Sequence, residues 1–162
     1  MTRRPWSSRV LTLAGVVLVV LGLYFILVRP PLLPEDPRYM GSTSSAIRAS
    51  VPGLELWLEK VFWVMGGYML ATGLLTSTIA LTVLHERRRG ITTVVVVAGL
   101  LSMGWMAAVN FILDSDFKWV LLGLALLWPI ALVLVLVEKP SAPERRRIVD
   151  DADAVRSLRT FR

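Results

Sequence analysis

Cysteine is absent from the chain, and histidine occurs once, at position 85. Without cysteine, the protein can form neither disulfide bonds across an extracellular loop nor a thiolate metal site. A single histidine cannot supply both axial ligands of a bis-histidine haem. The sequence also lacks a phosphate-binding glycine loop, an HExxH motif and a nucleophile elbow. We therefore expect no cofactor, no bound metal and no enzymatic activity.

Charged residues are missing from four long stretches, which excludes an ordinary soluble domain. These stretches cover residues 10–28, 61–84, 91–113 and 119–137, with lengths of 19, 24, 23 and 19 residues. About 20 apolar residues in a helix are enough to cross a bilayer. The sequence thus predicts an all-α membrane protein, an antiparallel bundle of four transmembrane helices over about 10–28, 57–84, 91–113 and 119–137.

Positive charge is unevenly distributed among the segments between these spans. Thirteen of the eighteen Lys and Arg residues precede the first span, lie between the second and third, or follow the fourth. The other five are Arg29, Arg38, Arg48, Lys60 and Lys118. By the positive-inside rule, both termini should be cytoplasmic, and we expect a bacterial inner membrane. Because membrane orientation accounts for the net charge of +6, no nucleic-acid partner is expected.

Two arginine clusters are candidates for binding anionic lipid head groups at the inner leaflet. They comprise Arg87, Arg88, Arg89, Arg145, Arg146 and Arg147. The second cluster belongs to the tail 141–162, which follows a membrane domain of residues 1–140. Apolar residues of the tail fall on one helical face, and this pattern predicts a basic amphipathic helix on the membrane surface. Docking of the tail to a cytoplasmic partner and disorder are the alternatives.

The segment 29–56 is the longest connection on the outer side, and it contains five of the nine prolines. Because proline disfavours helix in itself and in the preceding residue, we expect its first half to be extended and turning, without helix. A short helix is predicted from Ser42 to Ala49, and the second span should begin near Leu54. Since prolines also restrict the unfolded chain, we expect the segment to form an ordered lid.

Polar residues gather at one membrane level on the outer side and form the candidate interaction site. They are Glu35, Asp36, Arg38, Tyr39, Lys60, Asn110, Asp114 and Asp116. In one interpretation, Glu35, Asp36 and Arg38 anchor the lid to charged helix ends around Lys60, Asp114 and Lys118. In the other, the residues form a recognition surface or an ion site. Asn110, the strongest polar group within a span, should bond to a neighbouring helix.

Small residues recur along three spans and predict close helix contacts. They are Gly15 and Gly22; Gly66, Gly73 and Ala80; and Ala98, Ser102, Gly104 and Ala108. We expect them to face other helices of the bundle, although one stripe could face another membrane protein or a second copy. In the fourth span, Pro129 should kink the helix. That kink could shape a lipid- or quinone-sized cleft lined by Trp105 and Trp128, with plain packing as the alternative.

Three segments carry a resemblance to known proteins: PPLLPEDPRYMG at 30–41, VPGLE at 51–55 and VMGGYM at 64–69. Together they resemble a group of small bacterial four-helix membrane proteins of uncharacterised function. The arrangement is also loosely similar to the DoxX-like superfamily, some of whose members are linked to quinone-dependent redox systems. The resemblance implies a four-helix membrane protein, and it assigns no catalytic residue.

These observations favour a non-enzymatic accessory or scaffold component of a larger membrane system. The alternative is a DoxX-like redox accessory or enzyme subunit that binds a quinone or lipid between the third and fourth spans. A small channel or carrier is a third hypothesis, and it requires a hydrated path past Asn110. No charged residue lies within the four apolar stretches 10–28, 61–84, 91–113 and 119–137, which argues against a proton-coupled antiporter.

Overall fold

The computed structural model describes residues 5–82 and 89–138, and helices joined by short connections account for this part of the chain. The α-helices are α1 (Trp6–Leu27), α2 (Glu35–Tyr39), α3 (Ser44–Ser50), α4 (Leu54–Thr82), α5 (Arg89–Gly99), α6 (Trp105–Ile112), α7 (Lys118–Ala125) and α8 (Leu127–Val137). A π-helix, Leu100–Gly104, joins α5 to α6. The described ranges contain no strand, so the all-α prediction is confirmed for them.

Four helical segments are long and apolar enough to cross a membrane: Trp6–Leu27, Leu54–Thr82, Gly90–Ile112 and Lys118–Val137. We refer to them as the first to fourth spans. Their positions agree with the predicted spans, and α4 begins at Leu54 as expected. The chain therefore has the architecture of a multi-pass membrane protein.

Contacts between segments define two ends of the bundle. At the terminal end, Ser7 at the start of α1 donates its backbone N–H to Glu138 Oε1 at 3.1 Å. There too, the Ser8 hydroxyl donates to the carbonyl of Ala80 at 2.5 Å. At the opposite end, the loop end, Glu35 of α2 meets Ser115 of the last connection. The spans therefore alternate in direction, as an antiparallel bundle requires.

The first span lies at the centre of the packing, against α4 on one side and α8 on the other. The third span packs instead on the fourth, through α5 with α8 and the π-helix with α7. Their short connection predicts that the second and third spans pack together. In the described part of the chain, however, α4 has no comparable contact with α5 or α6. A short connection limits the distance between two helix ends but does not bring their full lengths together.

Glycines bring the first and second spans into backbone contact, as the small-residue pattern predicts. A Cβ on Gly73 would lie 2.6 Å from the carbonyl oxygen of Gly15. A Cβ on Gly66 would lie 2.6 Å from that of Gly22. No side chain fits at such distances, so these positions require glycine. In the third span, by contrast, Ala108 is exposed, and the predicted Gly104 and Ala108 stripe lies outside any comparable contact.

The third and fourth spans are joined by the indole of Trp128, which is 3% exposed. It lies against Gly99, where an added Cβ would overlap the ring. The π-helix begins at the next residue, Leu100. The fourth span is interrupted at Leu126, between α7 and α8, as expected from the missing N–H of Pro129. Trp128 therefore has a packing role and does not line a cleft between these spans.

The outer segment contains more helix than its prolines predict. Residues 35–39 form α2, although Pro37 lies within them. Because the first N–H groups of a helix have no partner inside it, proline in the first turn removes no hydrogen bond. The predicted short helix is present as α3, where the Thr43 hydroxyl accepts from the N–H of Ala46 at 3.2 Å. The extended conformation expected for the first half of the segment is thus wrong over α2.

Candidate functional site

A cavity of about 930 Å³ occupies the half of the bundle nearest the loop end. Its walls come from the last turns of the first span, the first half of the second, the π-helix with α6, and α7. Such a volume lies near the top of the range of about 300–1,000 Å³ for small-molecule sites. The cavity is therefore large enough for a sizeable ligand.

Apolar and aromatic side chains form most of the wall. Representative residues are Leu18, Phe25, Met65, Met69, Val109 and Leu121. Some of the described lining residues lie within the four spans, and none of these carries a charge. The wall thus suits an apolar body such as an acyl or isoprenoid chain.

The cavity lies between α4 and α6, where the second and third spans diverge. Tyr68 on α4 and Trp105 on α6 both line it, and yet they are 73% and 69% exposed. A side chain can both line a cavity and be largely exposed only where it lies at the edge of the cavity's opening. The cavity is therefore open on this side, which faces lipid in a membrane-embedded protein.

The roof of the cavity at the loop end contains a buried carboxylate. Glu35 is 3% exposed, and its Oε1 accepts a hydrogen bond from the Ser115 hydroxyl at 3.0 Å. Ser115 is itself buried, and its Oγ accepts from the backbone N–H of Phe117 at 3.2 Å. In the described part of the chain, Glu35 Oε2 is buried without a donor. A carboxylate oxygen in this state is costly, because burial removes its hydrogen bonds to water.

Arg29 also lines the cavity, near enough to the Glu35 carboxylate to interact with it electrostatically. Its guanidinium is 3.5 Å from the ring centroid of Phe62 and 5.2 Å from that of Phe25, and its side chain is only 10% exposed. Its Nη1 donates to the carbonyl of Pro30 at 3.2 Å. Burial lowers the pKa of Arg29, and the nearby Asp36 carboxylate opposes that shift. The group remains a cation at neutral pH, because arginine does not lose its proton in proteins.

Asp36 completes the charged roof. Its Oδ2 accepts from the backbone N–H of Leu33 at 2.7 Å, which fixes the entry of the chain into α2. The same oxygen lies 3.9 Å from Arg29 Nη2. Among the residues that the structure describes, the roof therefore contains one cation, Arg29, and two carboxylates, Glu35 and Asp36.

A second charged cluster lies on the exposed surface of the loop end. Arg38 Nη2 donates to Asp116 Oδ1 at 3.2 Å and to the carbonyl of Asp114 at 3.1 Å. The ammonium of Lys118 hydrogen-bonds to the Asp114 carboxylate and holds the pKa of that carboxyl below its ordinary value. These contacts join α2 to the connection between the third and fourth spans. They match the expected anchoring of the lid by Arg38, and because they are exposed each adds little stability.

The remaining predicted residues have other roles. Asn110 lines the cavity, but its Nδ2 donates to the carbonyl of Met106 in its own helix at 2.9 Å. The expected bond from Asn110 to a neighbouring helix is therefore wrong. Lys60 pairs with Glu59 at 3.0 Å and lies over the ring of Trp63, away from Glu35, Asp36 and Arg38.

The outer-face prediction thus divides into three groups. Glu35, Asp36 and Asn110 line the cavity, and Arg38, Asp114 and Asp116 form the exposed cluster. Lys60 and the 59%-exposed Tyr39 belong to neither.

Of the residues predicted to bind lipid head groups, Arg87, Arg88, Arg145, Arg146 and Arg147 lie outside the described residues, as does the tail 141–162. Arg89 is the first residue of α5, and its side chain is also outside the description.

Sequence reasoning missed two residues of the roof. The sequence places Arg29 only among the outer charges, although its position directly after the first apolar run is a signal for a cation at the membrane boundary. Ser115 gave no signal, because its partner Glu35 is distant in sequence. Within residues 5–82 and 89–138, no group of three or more His, Cys, Asp or Glu residues could hold a metal ion.

In comparisons with protein-family models, curated proteins and solved structures, nothing matches the chain. The functional argument therefore depends on the geometry of the cavity and its roof.

Proposed function

We propose that this chain is a non-enzymatic accessory protein of a bacterial inner membrane and that it binds a lipid-like molecule in the cavity. The observation that carries this proposal is the cavity of about 930 Å³ with apolar walls and a charged roof at one end. An amphiphile has the same division into an apolar body and a polar head. The binding step fits the predicted accessory role in a larger membrane system.

The position of the cavity supports entry from the bilayer. Its rim residues Tyr68 and Trp105 lie on two spans that, in the described part of the chain, pack on other helices more than on each other, and both residues are exposed. A lipid could therefore enter sideways, with its tail remaining in an apolar environment throughout. The charge distribution of the sequence orients both termini toward the cytoplasm. In that orientation the cavity and its roof belong to the outer leaflet.

A quinone-type ligand is the second candidate, and the aromatic lining favours it. Tyr24, Phe25, Phe62 and Trp105 all line the cavity and could contact a planar ring. This candidate corresponds to the DoxX-like alternative, with one change. The cleft between the third and fourth spans is filled by Trp128 and Gly99, so the ligand would bind between the second and third spans.

The test is to identify the molecules that remain with the purified protein. The full chain is purified from its native membrane in a mild detergent, and organic extracts are analysed by mass spectrometry and absorbance. We expect about one lipid-like molecule per chain. A quinone in that position would favour the second candidate, and an extract without stoichiometric amphiphile would contradict the proposed function.

A matched pair of variants shows whether the molecule is in the cavity. Val109→Trp places an indole in the cavity, whereas Val94→Trp makes the same change at a 60%-exposed position of the same span, outside the lining. We expect Val109→Trp to lose most of the bound amphiphile and Val94→Trp to retain it. Equal retention would place the molecule on the outer surface of the bundle.

A further inference from the structure

The roof of the cavity has a charge pattern that restricts the head group of the ligand. Arg29 contributes one positive charge, and Glu35 and Asp36 contribute two negative charges. All three residues line the cavity. An uncharged apolar ligand would place an apolar surface against these charged groups and leave Glu35 Oε2 without a donor. A purely anionic head would face a roof with a formal charge of minus one. A head group with both signs of charge complements the roof.

Glu35 determines what the positive part of the head group must offer. Its Oε1 is engaged by Ser115, whereas Oε2 has no donor among the described residues. A ligand that brings an N–H group would supply the missing hydrogen bond, and a charged donor would form a stronger one. Oε2 is shielded from solvent in the structure, so binding requires the carboxylate to turn toward the head group.

Arg29 determines the negative part. The guanidinium lies over the ring of Phe62, 3.5 Å from its centroid, and 5.2 Å from the centroid of Phe25. Its Nη1 donates to the Pro30 carbonyl, and its Nη2 lies 3.9 Å from the Asp36 carboxylate, which leaves several of its five N–H donors for a ligand. Phosphate is an anion that arginine binds well, because its oxygens match the planar donor group. The phosphate of a membrane lipid would reach this position with its tails in the apolar part of the cavity.

We propose that the cavity selects a phospholipid whose head group combines a phosphate with an N–H-bearing ammonium, as in phosphatidylethanolamine. The phosphate pairs with Arg29, and the ammonium donates to Glu35. This inference rests on the proposed lipid-binding function and adds the class of head group. A quaternary ammonium, as in phosphatidylcholine, carries the same charge but no N–H, so it lacks the bond to Glu35.

The test compares three lipids with identical tails: dioleoyl phosphatidylethanolamine, phosphatidylcholine and phosphatidylglycerol. The delipidated full chain is mixed with all three in equal amounts, and bound lipid is counted by native mass spectrometry. We expect phosphatidylethanolamine to be preferred over phosphatidylcholine by about tenfold or more, as for a hydrogen bond to a charged group. We expect phosphatidylglycerol, which lacks the ammonium, to bind less than phosphatidylethanolamine.

Glu35→Gln tests whether the preference for phosphatidylethanolamine depends on the Glu35 carboxylate. This variant keeps the size of the side chain and removes its charge, so both ammonium lipids should bind less tightly. Phosphatidylethanolamine also loses its hydrogen bond to the carboxylate, so its preference over phosphatidylcholine should fall toward one. Asp116→Asn is the control, since Asp116 is outside the lining and exposed, and it should keep the wild-type preference. The melting temperature of each variant in detergent, compared with that of the wild-type chain, tests whether the fold is retained.

Two results separate this inference from the proposed function. If the wild-type chain binds phosphatidylethanolamine and phosphatidylcholine equally, or prefers phosphatidylglycerol, the head-group proposal is overturned and lipid binding stands. If the wild-type chain binds none of the three lipids or any native amphiphile, the proposed function itself is overturned. The wild-type comparison needs no variant, so it remains decisive even where Glu35→Gln fails to fold.

Discussion

The indole Nε1 of Trp128 donates a hydrogen bond to the backbone carbonyl of Val95 at 3.0 Å, across the interface of the third and fourth spans. Both residues are buried, with 3% exposure each. The bond satisfies the polar atom of a large side chain inside an apolar bundle. It also fixes the third span on the fourth, on the side away from the cavity. Because the third span is held there, a space remains between it and the second span.

Substitution of Gly99 tests this interface. Gly99→Ala places a Cβ into the ring of Trp128, so we expect a loss of about 1–3 kcal/mol in the free energy of unfolding, as for other overpacked sites. Gly123→Ala in α7 is the matched control, because a Cβ there meets nothing within 4 Å. Thermal unfolding in detergent should show a clear decrease for Gly99→Ala and no decrease for Gly123→Ala. Equal melting of the two variants would exclude the close contact.

The contact of the first and second spans can be tested in the same way. Gly73→Leu forces apart backbones that approach at Gly15, whereas Gly67→Leu on the same helix adds its side chain in open space. We therefore expect Gly73→Leu to lower the melting temperature strongly and Gly67→Leu to change it little. Indistinguishable melting curves would be incompatible with glycine-mediated packing of α1 on α4.

These two interfaces differ in how far the sequence predicts them. Glycines at a regular spacing predict the contact of α1 with α4, because only small residues allow helix backbones to approach closely in lipid. The contact of Trp128 with Gly99 has no such pattern, since it joins one residue on each of two spans. The π-helix begins at Leu100, directly after the residue that contacts Trp128. Hydrophobicity thus predicts the spans, whereas their packing order depends on particular pairs.

The candidate site also has features that the sequence predicts and features that it does not. The sequence indicates which residues are polar at the loop end, and two of the predicted candidates, Glu35 and Asp36, line the cavity. It does not show that Glu35 would be buried against Ser115, because that bond joins two connections far apart in sequence. The cavity itself depends on the separation of the second and third spans, whereas their short connection predicts that they pack together.

The bond between Glu35 and Ser115 makes the roof sensitive to a small change. Ser115→Ala removes the donor to Oε1 and leaves a buried carboxylate without a partner, which costs about 1–3 kcal/mol. Ser45→Ala, at an exposed position of α3, is the control. We expect faster protease cleavage near Tyr39 in Ser115→Ala and unchanged cleavage in Ser45→Ala. Wild-type cleavage rates in both variants would show that this bond does not hold the segment in place.

Orientation in the membrane is tested by cysteine labelling, which the cysteine-free sequence allows without background. Ser45→Cys is better suited than a cysteine at Ser115, because Ser45 is exposed and Ser115 is buried. A membrane-impermeant maleimide should label Ser45→Cys in intact cells. It should label Ser157→Cys, in the tail, only after the cells are opened. Labelling of Ser157→Cys in intact cells would show that the tail is outside and would contradict the predicted orientation.

Lipid binding in the cavity is tested most directly by photo-crosslinking in a bilayer. The wild-type chain is placed in nanodiscs with phosphatidylethanolamine that carries a photoreactive group in its tail, and the crosslinked peptides are located by mass spectrometry. We expect crosslinks to concentrate on cavity residues such as Met69, Val109 and Leu121. Crosslinks confined to outward-facing residues such as Leu75 and Leu136, which are 65% and 79% exposed, would contradict a lipid site inside the bundle.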